Sequence, residues 1–329
     1  MKKLLIVLAG VSFLFTGCAY LSSENSKFKK ALYYSDTNRN SKAVELYSEI
    51  IKANPKNFAA YSNRGLAYEK LAAQDFKSRK KYIDLAEKDY LSALSIRRDV
   101  AEVYNNLGAL YINKKRFYDA VIYLNVAVDL APRYYSALVN RGIANYNSGR
   151  GVEAYNDFYA AIKLQPETYL AYFNRGLYYY DVGDYLNAAI DQTYAIKYNP
   201  TFQRAYLERG RALKMYDAYA DAMDDFRVAV SLDPKDAVAH YYYAEMLFKN
   251  HQYEDSISHL LIAKQENPKF VPAYELMGDI LSVEDPMAAV QNYIVCKKLD
   301  PASKSRYDYK IRRVITDDGR KQIAASRFF

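Results

Sequence analysis

The chain has 329 residues, with 46 Lys and Arg against 38 Asp and Glu (formal net charge +8), two Cys, three His, 36 Tyr and no Trp. Half of it is apolar and a quarter charged, a balance that excludes extensive disorder; two Cys and three His exclude a disulfide framework or a four-thiolate zinc site and leave little for a metal centre. The charge alone leaves nucleic acid or an anionic membrane open as partners. Residues 1–18, MKKLLIVLAGVSFLFTGC, start with Lys2 and Lys3 and continue through an apolar stretch of 12 residues, Leu4 to Phe15. A transmembrane helix needs about 20 such residues. The length and the basic flank suit a secretory signal.

Phe15-Thr16-Gly17-Cys18 resembles the lipobox of bacterial lipoproteins. The resemblance implies cleavage before Cys18 and a lipid anchor on its sulfur. Ala19, where Asp would imply retention in the inner membrane, implies the outer membrane facing the periplasm. The mature chain then loses Lys2 and Lys3, carries +6, and lies where cellular DNA and RNA are not expected ligands. Residues 19–23 are a short linker of roughly 20 Å when extended, which keeps the next domain near the bilayer.

From there one pattern returns. Pro132, Pro166, Pro200, Pro234 and Pro268 are 34 residues apart, with Pro301 following at 33; each closes an apolar helical stretch. Gly65, Gly108, Gly142, Gly176, Gly210 and Gly278 recur in one predicted helix, and Ala43, Ala86, Ala120, Ala154, Ala188, Ala222 and Ala289 in the next. Tyr61, Tyr104, Tyr172, Tyr206 and Tyr274 hold one large position. Tyr47, Tyr90, Leu124, Phe158, Phe226, Leu260 and Tyr293 hold another, a series that Gln192 interrupts. Small residues let two antiparallel helices approach, and large ones fill the space beside them. A fixed period of this kind marks a repeat architecture.

The register resembles the tetratricopeptide repeat, with Tyr standing where that family often has Trp. The resemblance implies an all-α, right-handed superhelical solenoid of eight helix pairs at 24–57, 58–100, 101–134, 135–168, 169–202, 203–236, 237–270 and 271–303. A capping helix over 304–316 is expected from the shared face of Tyr307, Ile311 and Val314, and a frayed tail over 317–329 that includes Phe328 and Phe329. The second repeat carries about nine extra residues between Leu71 and Leu85 and has Arg98 where the others have Pro. The expected form is a lengthened hairpin, basic through Lys77, Arg79, Lys80 and Lys81, either a solvated face or a contact with anionic lipid or an acidic partner.

The first helices of such a solenoid line its concave groove. Asn63, Asn106, Asn140 and Asn174 take one equivalent place in four consecutive repeats. An amide side chain satisfies a peptide C=O and N–H together, and helices 8–10 Å apart would meet about every third residue of an extended peptide. The ladder resembles that of the repeat domain of O-linked N-acetylglucosamine transferase. Phe173 and Tyr180 are expected on or beside the groove, with Arg204 as a basic contact. Glu208, Val139 and Ile143 stand where a chaperone-binding carboxylate clamp needs other residues, which argues against a faithful clamp.

No phosphate loop, metal-ligand spacing or catalytic triad is legible, so the expectation is no enzyme and no cofactor. Two functional readings remain: an envelope scaffold that binds protein or peptide segments, and a receptor or delivery protein for a small ligand, with Arg204, Arg211 and Lys214 attracting an anion. Charge is unevenly distributed: residues 19–100 carry +6, 101–302 carry −5 and 303–329 carry +5. A neutral or basic segment therefore suits the central groove better than an acidic polymer.

Overall fold

The computed structural model describes residues 23–326, with side-chain surroundings for 24–317. The signal segment, Cys18 and the Phe328-Phe329 pair lie outside the described residues. Among the described residues there are seventeen α-helices, one 3-10 turn (Pro301–Ser303) and no strand. In chain order they are α1 Ser23–Asp36, α2 Asn40–Ala53, α3 Phe58–Gln74, α4 Arg79–Ile96, α5 Ala101–Asn113, α6 Phe117–Leu130, α7 Tyr135–Asn147, α8 Gly151–Leu164, α9 Tyr169–Asp181, α10 Tyr185–Tyr198, α11 Gln203–Met215, α12 Tyr219–Leu232, α13 Ala237–Lys249, α14 Tyr253–Glu266, α15 Val271–Leu281, α16 Pro286–Leu299 and α17 Lys304–Ser326.

The described residues form two compact units that divide between Tyr178 and Tyr179. In the first, α1 to α8 make four hairpins in which each helix packs on the next; α5 also meets α7. In the second, α10 to α17 follow the same rule, and α13 also meets α15.

Shape complementarity inside five of the hairpins comes from Gly65, Gly108, Gly142, Gly210 and Gly278. A Cβ on Gly142 would meet the Phe158 ring at 2.5 Å, and one on Gly108 would meet Leu124 at 2.4 Å. The first helix therefore lies directly on the large side chain of the second. Ala120, Ala154, Ala222 and Ala289 are fully buried beside them.

Six hairpin turns among the described residues share one device. Asn38, Lys115, Gly149, Gly183, Asp217 and His251 all have positive φ, between 58° and 84°. Each ends its helix as a left-handed C′ residue. The next amide then reaches back, as Arg150 N–H does to Asn145 O at 2.9 Å and Gln252 N–H to Leu247 O at 2.9 Å, closing the last turn.

The second hairpin departs from this plan. α3 has 17 residues and α4 has 18, against 13 and 14 in α5 and α6. No left-handed residue joins α3 to α4; instead Asp75 Oδ1 accepts from the Lys77 and Ser78 amides at 3.0 and 3.2 Å.

At the other end α17 buries Tyr307 and Val314 against Ala289, Tyr293 and Cys296. It runs on to Ser326, across the Asp317-Asp318-Gly319 stretch expected to fray. One interior Gly costs about 1 kcal/mol, and the Lys, Gln and Ala that follow are good helix formers.

Candidate functional site

In the first unit the four asparagines occupy matching places on α3, α5, α7 and α9, and they are deeply set: Asn63 is 7% exposed, Asn106 2%, Asn140 0% and Asn174 1%. The Asn63 amide donates to Ala59 O at 2.8 Å, one turn back in its own helix. Asn140 Nδ2 donates to Asn105 Oδ1 at 2.8 Å, and Asn105 Nδ2 makes a long 3.5 Å contact to Asn106 Oδ1. These three are thus engaged with the protein itself. Asn174 differs: among the described residues neither its Oδ1 nor its Nδ2 has a hydrogen-bond partner. A buried amide left unpaired costs about 1–3 kcal/mol, and with each of its polar atoms out of reach of solvent a ligand meets it only where a covering side chain moves aside. Phe173, expected on or beside the groove, has no exposed surface. Its ring packs into the core instead, and that correction removes it from any contact surface.

In the second unit the first-helix side is charged and aromatic. Arg211 lies over the Tyr180 ring at 4.8 Å and the Tyr242 ring at 5.6 Å, and donates to Glu208 Oε2 at 2.6 Å. Burial works against the Arg211 charge, but Glu208 and the two phenols outweigh it and hold its pKa up. Lys214 pairs with Glu245 at 2.6 Å. Burial pulls the Arg204 pKa down against the opposing pull of Glu208 and Asp236. Arg211 and Lys214, expected to attract an anion, are therefore already neutralised by carboxylates.

Three interactions escaped the reading of the sequence. Arg64, Arg141 and Arg209 each grip a buried aspartate of the following helix: Asp89, Asp157 and Asp225, each with one N–O distance of 2.7 Å. Each also reaches the preceding second helix, at Ser48, Asn125 and Thr193, so one guanidinium ties two repeats. The signal was present: Arg141 and Arg209 lie two periods apart, as do Asp157 and Asp225.

Tyr90 donates to Glu69 Oε1 at 2.5 Å, and burial pushes that carboxyl up to about 7 despite the hydrogen bond. Cys296 is fully buried, and its thiol is pushed up to about 12 by burial and then by Glu275, which makes it a poor nucleophile. His240 Nε2 faces Pro234 O at 3.0 Å and must donate to it, so its Nδ1 accepts from His259 Nδ1 at 2.9 Å. Among the described residues no three His, Cys, Asp or Glu side chains are arranged to hold a metal, and no helix is long and apolar enough to cross a membrane.

Comparison with known proteins agrees with this geometry. One tetratricopeptide repeat family matches residues 28–75 and 174–237, and another matches 101–134. The chain is a tetratricopeptide repeat protein. Its fold resembles a chain of the APC/C hetero-tetramer Cut9-Hcn1, at 15% identity and TM-score 0.62 over 89% of this chain; this chain spans 56% of that one's length. It also resembles pilF of Pseudomonas aeruginosa, at 18% identity and TM-score 0.58, covering 68% of this chain and 97% of that one. A tetratricopeptide repeat protein from Parabacteroides merdae gives 19% and 0.58, covering 79% and 99%. At these identities the likeness is one of fold. Tetratricopeptide repeat proteins serve as protein-interaction scaffolds.

Proposed function

We propose that this repeat protein is a lipid-anchored scaffold of the bacterial envelope, held through Cys18 at the outer membrane and facing the periplasm, that binds peptide segments of envelope proteins along its first-helix side. One observation carries the binding part: the open, buried amide of Asn174, on the same register as Asn63, Asn106 and Asn140. A peptide backbone offers the donor and acceptor that this amide lacks. In the second unit, Tyr180, half-buried with Arg211 over its ring, and Arg204 are separate candidate contacts.

Asn174→Leu keeps the size and removes the polar atoms. Replacing an unsatisfied polar group by an apolar one of similar shape is near neutral or stabilising, so the variant should melt no lower than the parent. Affinity capture from native envelopes in mild detergent should nevertheless recover at least about tenfold less partner, a loss of about 1.4 kcal/mol. Equal recovery would remove Asn174 from the binding site. The anchor is tested separately: Cys18→Ala should abolish incorporation of labelled palmitate, and continued labelling would refute it.

A further inference from the structure

The second hairpin departs furthest from the molecule's own register. Its two helices run about one turn beyond the other pairs, and their connection carries Phe76 at the apex, 83% exposed. Lys77, Arg79, Lys80 and Lys81 surround it, all exposed. Among the described residues none of these four makes an ion pair, and Phe76 makes no ring contact. Arg79, Lys80 and Lys81 occupy the first turn of α4, which has no acidic side chain. Open N–H groups and the helix dipole already make that end positive, so three cations there oppose the usual preference. Asp75 braces the turn through the Lys77 and Ser78 amides and Asp84 faces Lys114 at 3.5 Å, so neither forms an ion pair with these four cations and the tip keeps an excess of positive charge. An exposed aromatic and an excess of cations on a braced tip break local rules together, the mark of a functional surface.

We propose that this tip docks on an anionic lipid bilayer, with Phe76 entering the boundary between headgroups and acyl chains and the four cations lying among the lipid phosphates. A protein interface uses about 20–30 residues a side, far more than this apex offers, whereas a bilayer accepts a protruding basic and aromatic point. The neighbouring turn adds to it: Gln74 Nε2 donates to Asn38 Oδ1 at 2.8 Å and Lys70 to Ser35 O at 3.0 Å, which brings Arg39 and Lys42 to the same end. The tip lies at the far end of α1 from the point where the chain enters that helix, roughly 20 Å away for 14 residues. This contact is distinct from a lipid on Cys18 and does not require one; where both operate, the first two hairpins lie along the bilayer.

The absence of Trp makes Phe76→Trp a single fluorescent reporter. It is placed in residues 18–329, which hold every described helix, with Cys18→Ser so that no arm carries an acyl chain. Vesicles of equal phosphatidylglycerol and phosphatidylcholine should shift the emission to the blue and shield the indole from iodide. Pure phosphatidylcholine should do neither. Lys77→Glu/Lys80→Glu/Lys81→Glu, checked for helicity by circular dichroism, should lose the shift. Raising salt from about 50 to about 300 mM should weaken binding at least tenfold, since screening shortens the reach of surface charge. No shift with the anionic vesicles, an equal shift with neutral ones, or a shift produced only by lipid-free envelope proteins would overturn the proposal. The outcome does not depend on whether Cys18 is acylated in the cell.

Discussion

Arg141 shows how a single residue holds neighbouring repeats. Its Nη2 meets Asp157 at 2.7 Å and its Nη1 meets Asn125 at 3.3 Å, while Asn145 donates to the same aspartate at 3.1 Å. Asp157 is 4% exposed, so removing its partner strands a charge out of water. Arg141→Ala should cost roughly 2–4 kcal/mol, read as a fall in the denaturant midpoint; Arg141→Ala/Asp157→Ala together should cost less than the sum, because neither charge is then left alone. A loss below about 0.5 kcal/mol would place the pair with ordinary surface salt bridges. Glu69 is the complementary case. Its folded pKa of about 7 lies above the ordinary carboxylate value, so the folded state holds the extra proton between about pH 4.5 and 7. Stability therefore falls as pH rises through that window. Glu69→Gln should flatten this slope and raise stability at pH 8 by up to about 2 kcal/mol, provided Tyr90 keeps its hydrogen bond; an unchanged pH profile would show that water relieves the burial. Neither device was read as a pair, because each joins residues 16 or 21 apart, and Arg141, Asp157 and Glu69 are of types that usually stand at solvated positions.

At the scale of helices, much more was legible. The first helices start at Phe58, Ala101, Tyr135, Tyr169, Gln203, Ala237 and Val271, the residues at which the Pro and Gly register opens each repeat. That follows because hydrophobic and small-residue spacing directly encodes which faces meet. The turns were not legible, because the left-handed residue is Gly at only two of the six places, Asn38, Asp217 and His251 are of types that only lean toward positive φ, and Lys115 carries no such signal. They hold it because the flanking helices and the amide that closes the turn fix the backbone. Lys115→Gly should then stabilise by about 1 kcal/mol, since a side chain in this region costs roughly that much. A thermal scan would show it, and a fall in Tm would mean that the Lys115 side chain earns its strained place through a contact. The asparagine register was likewise readable, but its depth was not. Periodicity names the face of a helix and not how closely the next helix covers it, so four residues expected on an open ladder lie buried, and Phe173 lies in the core.

Each unit is built by nearest-neighbour contact, and the last helix of the second is the place to test what that implies. In a stack of repeats each hairpin is stabilised by those beside it, so the terminal one must be covered on its outer face. Here α17 does so, with Tyr307 at 2% and Val314 at 6% exposure against Ala289, Tyr293 and Cys296. Lys310 adds contacts to Asp279 at 2.6 Å and Glu275 at 2.8 Å, of small value at half-exposed positions. Burial of the two apolar side chains contributes roughly 3–6 kcal/mol. Ending the chain at residue 303 removes that term and bares Tyr293. If coupling decays from neighbour to neighbour, amide exchange should quicken most in α15 and α16, less in α13 and α14, and not at all in α1 to α8. Solubility should fall as well, because the uncovered face of α16 offers an apolar patch to other copies. A uniform rise in exchange through both units would instead show one cooperative block, in which the cap stabilises hairpins it never touches.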